Sequence, residues 1–186
     1  MLKGNSCYLR IVEKDDALTL FQWENNIDNW KISNTEIPFS LHSINLLIDQ
    51  QCDLRTSGQL RFIICQNETN NPIGTLDLYD EGFRLGTLDL YDVNFKHGHA
   101  CIGILIASEK NKRKGFASES IQLAISYCRE ILDLTNLQCF IHHDNEASIA
   151  LFEHLGFKCV GEKINWLVFK GKRFNELTYQ LCLKEL

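Results

Sequence analysis

The period of hydrophobic positions changes several times along the chain, and each change marks an element. Tyr8 to Val12 is a short apolar, β-branched run that predicts a strand. From Asp15 or Asp16 the segment ALTLFQWENN places Leu18, Phe21 and their neighbours at helical spacing. NIDNWKISNTEIP reads as turn-rich, and SLHS carries the start signal of a second predicted helix over 40–54. RFIICQ, the polar NETNN and the alternating PIGTLDLYD predict two strands joined by a turn. HACIGILIA is a continuous apolar run suited to a strand buried on both faces, ended by the charged SEKNKRKGFA. Over 118–132, Ile121, Ala124, Ile125 and Cys128 share one helical face, and Ser118 offers a cap. LQCFIHH then predicts a strand, NEASIALFEHLGF a short helix ended by Gly156, and KCVGEKINWLVFKGKRFNELTYQLCL two antiparallel strands. The order β, α, α, β, β, β, α, β, α, β, β implies an α/β (α+β) chain with a mixed sheet, a parallel pair and helices covering it.

Within this pattern one stretch repeats. GTLDLYDEGFRL at 74–85 is followed directly by GTLDLYDVNFKH at 86–97. Two copies are too few for a solenoid, so the repeat reads as a local tandem duplication that lengthens a hairpin. The repeat length is even, so both copies keep the same side-chain parity and either can fill the same strand position. If that strand lies at a sheet edge, it provides a surface for homodimerisation.

Composition narrows the classes. With 186 residues, 45% of them hydrophobic, the chain can build one substantial core, and a single domain over 1–186 is expected. A formal net charge of −5 gives no reason to expect nucleic acid as a partner. No apolar run approaches membrane-spanning length, and the start MLKGNSCYLRIVEKDD lacks a signal-peptide core, so a cytoplasmic protein without membrane association is expected. The eight cysteines are scattered without a C-x-x-C pair, which reads as reduced core thiols and no metal site.

The chemistry begins at ILIASEKNKRKGFASES, a strand, a basic glycine-containing loop and a helix. Unpaired backbone N–H groups at the positive end of a helix suit a pyrophosphate. On this segment alone a solvated turn is an equally good reading. The loop resembles the acyl-CoA loop of the GNAT acetyltransferase superfamily, R/Q-x-x-G-x-G/A, with Lys112, Arg113, Lys114, Gly115, Phe116 and Ala117 in its places. Lys112 departs conservatively from Arg or Gln, and Arg113 stands where many members have glycine. DNEASIALFEHLGF resembles the family's N-x-x-S-x-x-L-[YF]-E-x-x-G-F helix, in the right order and at the right separation. The N-terminal LRIVEKDDALTLFQWENN and the closing GEKINWLVFKGKRFNELTYQL are similar to the branch with ribosomal-protein alanine and spermidine acetyltransferases.

The resemblance implies a mostly antiparallel central sheet with a splayed parallel pair, flanked by helices. It also implies acetyl-CoA as co-substrate and direct attack by an amine. Backbone N–H groups of the splayed strand, here Gly103 with Ile104, Leu105 and Ile106, would polarise the thioester oxygen. Lys112 to Ala117 and Ser118 would hold the pyrophosphate, with Asn145, Ser148 and Phe152 along the pantetheine arm. Phe152 replaces the family's tyrosine acid, leaving Tyr127, Tyr179 or solvent to protonate the thiolate.

An ammonium acceptor needs a base, and Asp77, Asp89, Glu24, His143 and Glu146 are candidates. Each carboxylate has an ordinary alternative as a solvated or ion-paired group. His142 and His143 alternate along a strand, so at most one faces the site. Trp23, Glu24, Trp30 and Phe39 have the aromatic and acidic composition that receives an alkylammonium group, although Trp23 and Phe39 serve equally as core. The expected activity is N-acetylation of a small amine, a polyamine-like compound or a protein N-terminus. The alternative is a CoA-binding domain without turnover.

Overall fold

The computed structural model describes residues 1–33, 35–51, 58–79 and 97–184. Two N-terminal strands, β1 (Leu2–Lys3) and β2 (Cys7–Ile11), precede three helices, α1 (Ala17–Glu24), α2 (Ile27–Ser33) and α3 (Leu41–Gln50). Three strands follow, β3 (Gln59–Gln66), β4 (Pro72–Tyr79) and β5 (His99–Ile106). The chain continues through α4 (Phe116–Glu130), β6 (Asn136–His142), α5 (Glu146–His154), β7 (Lys158–Phe169) and β8 (Lys172–Cys182).

The strands form one sheet in the order β1-β2-β3-β4-β5-β6-β8-β7, antiparallel except for β5 with β6. That parallel pair is short. It runs from His99 opposite Asn136 to Cys101 opposite Gln138, while the strands continue to Ile106 and His142. Beyond Cys101, β5 follows β4 as far as Gly74 opposite Ile106, and β6 follows β8 as far as His142 opposite Glu176. Each half-sheet satisfies its own ladder, so the two halves part. Gly74 lets the far end of β5 lie close, since a Cβ there would stand 2.1 Å from the Leu105 carbonyl oxygen.

Alternation along β3 builds a core on each face of the sheet. Leu60, Phe62 and Ile64 pack with Ile121, Ala124 and Cys128 of α4 and, farther along, with Phe152 of α5. Ile63 and Cys65 pack with Leu20 of α1 and Ile44 and Ile48 of α3. Fully burying one such aliphatic side chain is worth about 1.5–3 kcal/mol, so both helical layers are fixed to the sheet by apolar area.

Several expectations change. The turn-rich segment after α1 contains the helix α2, because Asn25 and Asn29 supply side-chain bonds to neighbouring carbonyls that stabilise a second short turn of helix. The helix after Ser40 ends at Gln50, with 52–57 outside the described residues. Helix α4 starts two residues before Ser118, its cap being Gly115 in a left-handed conformation, so Ser118 lies in the first turn. Gly103 to Leu105 are only half-buried, because the opening beside β6 uncovers them. The first repeat copy fills β4, inside the sheet between β3 and β5, so the edge condition attached to dimerisation is not met by that copy. Residues 80–96, with most of the second copy and Asp89, lie outside the described residues.

Glu119, in the first turn of α4, ties the N-terminal hairpin down. Its carboxylate accepts bonds from the backbone N–H groups of Asn5, Ser6 and Cys7 and from the Ser6 hydroxyl. Burial alone would raise its pKa, but these donors win and hold it below the usual carboxylate value. A depressed folded pKa contributes stability that is present above the unfolded value and lost as pH falls through the folded one. Glu119→Gln is therefore expected to lower the urea midpoint at pH 7 and to cost progressively less below about pH 4.5. An equal deficit at both pH values in parallel urea titrations would refute the charge-based account.

Candidate active site

The opening between β5 and β6 presents backbone groups with a definite parity. Ala107 donates its N–H to Ile73 on the β4 side, at 3.0 Å, whereas the Gly98 carbonyl accepts from Asn136 on the β6 side, at 3.1 Å. Because main-chain groups alternate sides along a strand, the amides of Ile104 and Ile106 face the opening and that of Leu105 faces β4.

The strand leads into the basic loop at the mouth of this opening. Ser108 caps a short 3-10 turn at 109–111, after which Arg113 and Gly115 both adopt positive φ, 60° and 84°. Lys112 pairs with Glu109, while Arg113 and Lys114 are exposed. Nothing lies within 4 Å of a Cβ built on Gly115, so open space faces the loop there. The first N–H that closes a helical turn of α4 is that of Glu119, onto Gly115. No side chain caps α4, which leaves the amides of Phe116, Ala117 and Ser118 without an intrahelical partner at the positive end of a 15-residue helix. The donor set, three amides and three cationic residues, fits a diphosphate.

Across the opening, Asn145 caps α5 by accepting from the Ser148 amide at 3.2 Å. Ser148 is half-buried, and Phe152 is buried edge-on against Phe157 with centroids 5.0 Å apart. The two tyrosines considered as acids point elsewhere. Tyr127 packs edge-on against Phe62 under α4, and the Tyr179 hydroxyl donates to Glu153 at 2.9 Å. Burial first, and Glu153 next, push Tyr179 up to about 12. Asn145→Ala should cost about 1 kcal/mol of stability by removing the cap, whereas Asn145→Asp keeps the cap acceptor but removes the amide donor. If the Asn145 amide serves turnover, both variants lose kcat and only the first loses melting temperature. Wild-type kinetics in Asn145→Asp would take that donor out of the site.

The polar cluster on the α1 face was not foreseen as a unit. Arg61 has the inward parity of Ile63, and its Nε lies 2.7 Å from Asp77 Oδ1 while Nη1 lies 2.8 Å from Glu24 Oε1. Gln59 also donates to Asp77, at 3.0 Å. Thus Asp77 of β4 and Glu24 at the end of α1, candidates for base and acceptor contact, are brought together by one guanidinium. The three side chains are 11–17% exposed. Both carboxylates raise the Arg61 pKa over the opposing effect of burial, so it stays charged. Asp77 stands opposite Gly103, one residue before Ile104, whose amide faces the opening. The signal in the sequence was a lone Arg between Leu60 and Phe62, charged at a core-facing parity.

Of the other acceptor candidates, Trp23 and Phe39 pack against the second core, and Trp30 donates its indole N–H to the Glu24 carbonyl at 2.8 Å. His142 and His143 separate as expected. His143 is exposed and its Nδ1 accepts from the Asn175 amide at 3.2 Å. His142 is buried on the α1 face against Phe174, with Nδ1 3.2 Å from Asp144 Oδ1 but not aligned for a hydrogen bond. Burial lowers the His142 pKa against the pull of Asp144. Lys31 of α2 reaches Asp144 at 2.5 Å and so ties α2 to the loop before Asn145. Ligand atoms of His142, His143 and Asp144 fall within 4.8 Å of one another, with Lys31 already on the carboxylate. Glu146 is exposed at the first turn of α5.

A sheet opened at a parallel pair, with a basic helix N-terminus at its mouth, defines an acyl-transfer scaffold. The model of the acetyltransferase (GNAT) domain matches residues 7–158, and the chain belongs to that family. It is 32% identical to the uncharacterized N-acetyltransferase YoaA of Bacillus subtilis, over 97% of this chain and 96% of that protein. It is 24% identical to the spermidine N(1)-acetyltransferase of Escherichia coli, over 98% of this chain and 88% of that one. The fold matches a spermidine N-acetyltransferase from Vibrio cholerae, solved in complex with CoA and spermine, with a TM-score of 0.83, 20% identity and 97% of each chain covered.

Proposed function

We propose that the protein transfers the acetyl group of acetyl-CoA to a primary amine by direct attack, without an acyl-enzyme. The observation that carries this reading is the opening between β5 and β6, with the Ile104 and Ile106 amides directed into it and the uncapped start of α4 at its mouth. Bound acetyl-CoA supplies an activated acyl group on a thiol that leaves readily. The amides of Phe116 to Ser118, with Lys112, Arg113 and Lys114, neutralise its diphosphate. The Ile104 and Ile106 N–H groups polarise the acyl oxygen, while Leu105 lends backbone rigidity by its ladder to β4. Asn145 and Ser148 border the arm, with Phe152 as the packed wall behind them.

The acceptor side consists of Glu24, Asp77 and the aromatic surface of Trp23, Trp30 and Phe39, which receives a cationic amine. Asp77 is the proton acceptor we favour, since Arg61 fixes its orientation opposite Gly103, and His143 or Asp89 are the other candidates. Holding two reactants aligned supplies about 7–11 kcal/mol, so no special acid is required and solvent protonates the thiolate. The relatives' names support an N-acetyltransferase, and the spermidine enzyme among them supports an amine acceptor; we carry a small amine, a polyamine-like compound and a protein N-terminus as the acceptor classes to test. No helix among the described residues is long and apolar enough to cross a membrane. We propose a cytoplasmic setting, one that keeps cysteine thiols reduced. We also propose one domain over 1–186 that self-associates as a homodimer.

Isothermal titration with acetyl-CoA, followed by a thiol-release assay over amines, aminoglycosides and N-terminal peptides, tests the reading. Binding with release for one acceptor class is the expected result. Failure to bind acetyl-CoA would overturn it.

A further inference from the structure

Lys163 of β7 occupies an unusual setting. Its ammonium lies 3.5 Å from Glu176 Oε2, 4.8 Å from the Phe140 ring centre and 5.2 Å from that of Trp166. Glu176 is 1% exposed, whereas the Lys163 side chain is 35% exposed. A carboxylate and two aromatic faces around one ammonium are the chemistry that recognises an alkylammonium ligand. Here the chain's own lysine fills the place.

The place is also built. Lys163 pairs with Glu176 and Leu167 with Phe174, so the three residues 164–166 bulge opposite Asn175 alone. Asn165 takes a positive φ of 53°, held by the Asn175 side chain on its N–H at 2.9 Å and by Arg173 on its carbonyl at 3.3 Å. In a regular strand residues 163 and 166 would point to opposite faces; the bulge turns Trp166 toward Lys163. Trp166 remains 55% exposed, so the rim is accessible.

Its location connects it to the opening. Phe140 follows Gln138, where pairing with β5 ends, and shares its face with Gln138 and with Cys101, Gly103 and Asp77. The cage therefore borders the opening on the face that carries Arg61 and the two acceptor-side carboxylates.

We propose that Phe140, Trp166 and Glu176 form an ammonium subsite that Lys163 fills in the free protein, and that an acceptor bearing a second alkylammonium displaces Lys163 from it. This rests on the acceptor reading above. Exchange of one ammonium for another preserves the ion pair with the Glu176 carboxylate, so the swap leaves the local charge unchanged. The tethered lysine acts as an internal competitor that weakens diamine binding by the fraction of time it occupies the cage. Monoamines, lacking the second charge, do not sense it.

The test compares 1,5-diaminopentane with pentylamine. Lys163→Met is expected to lower the KM for the diamine about tenfold and leave that for pentylamine unchanged. Trp166→Ala, at an exposed position, is expected to raise the diamine KM several-fold with the acetyl-CoA KM unchanged, and it keeps the test decisive if Lys163→Met folds poorly. Calorimetric binding of 1,5-diaminopentane without acetyl-CoA should follow the same order, and this readout needs no turnover. Tighter diamine binding by Lys163→Met without acetyl transfer would sustain the subsite while counting against the transferase reading. Equal diamine binding by wild type and both variants would overturn the subsite, whatever the turnover.

Discussion

Gly115→Asp is expected to abolish acetyl-CoA binding at working concentrations. The carboxylate would stand in the open space before the uncapped amides of α4, where the diphosphate is proposed to lie. Two like charges about 4 Å apart at an effective dielectric near 20 repel by about 4 kcal/mol, which is several hundredfold in affinity. Backbone strain also contributes, because Gly115 has φ of 84° and a side chain there is disfavoured. Gly115→Asn separates the two causes, being nearly isosteric, neutral and among the residues that best tolerate the left-handed region. We expect roughly tenfold weaker binding or less for the asparagine variant in a titration with CoA. Equal losses in both variants would assign the effect to the backbone, and unchanged affinity in Gly115→Asp would refute the loop assignment.

Arg61→Gln should have the largest effect on stability. It leaves Glu24 and Asp77, both mostly buried, without the cation that brings them together. Removing one partner from such a cluster costs about 3–5 kcal/mol, because the remaining charges have already lost their water. The deficit should shrink as pH falls, since protonating either carboxylate relieves the repulsion. Asp77→Asn in the Arg61→Gln background should recover part of the loss, and that recovery measures the coupling. Urea unfolding of the two single variants and the double variant at pH 5 and pH 8 reads these differences; additive losses independent of pH would show that Arg61 acts by packing alone. Asp77→Asn on its own tests the proton acceptor, with the expected fall in kcat/KM reversed in part at higher pH, where the amine is already deprotonated.

Much of the fold was legible because it depends on local periodicity. The alternation in PIGTLDLY and the apolar run of ILI specify strands, and the spacing of Ile121, Ala124 and Cys128 specifies the face of α4. The basic segment before α4 was legible as a loop, and Asn145 and Ser148 meet in one helix cap, because a loop and a cap are built from neighbours in sequence. The start of α4 was misplaced by two residues for a related reason. Ser118 has a capping side chain, but Gly115 is the residue that can take the left-handed turn out of the loop, and backbone conformation outranked side-chain preference there.

What sequence alone determined, then, is most of the succession of elements after β2, with α2 the helix it missed, together with the basic loop and the Asn145 segment that resemble the family, all of which follow from interactions over a few residues. Tertiary structure decided the rest. Arg61 meets Glu24 and Asp77 across 37 and 16 residues of chain, and Lys31 meets Asp144 across 113. Lys163 reaches Phe140 across β8 by the register of three strands, and a bulge in β7 turns Trp166 toward it. Which repeat copy fills β4 is likewise a tertiary choice, since both copies carry the same GTLDLYD and differ only in the chain that connects them. Charges are placed by the sheet's register, and register is set by the summed burial of both faces, a quantity that no single segment carries.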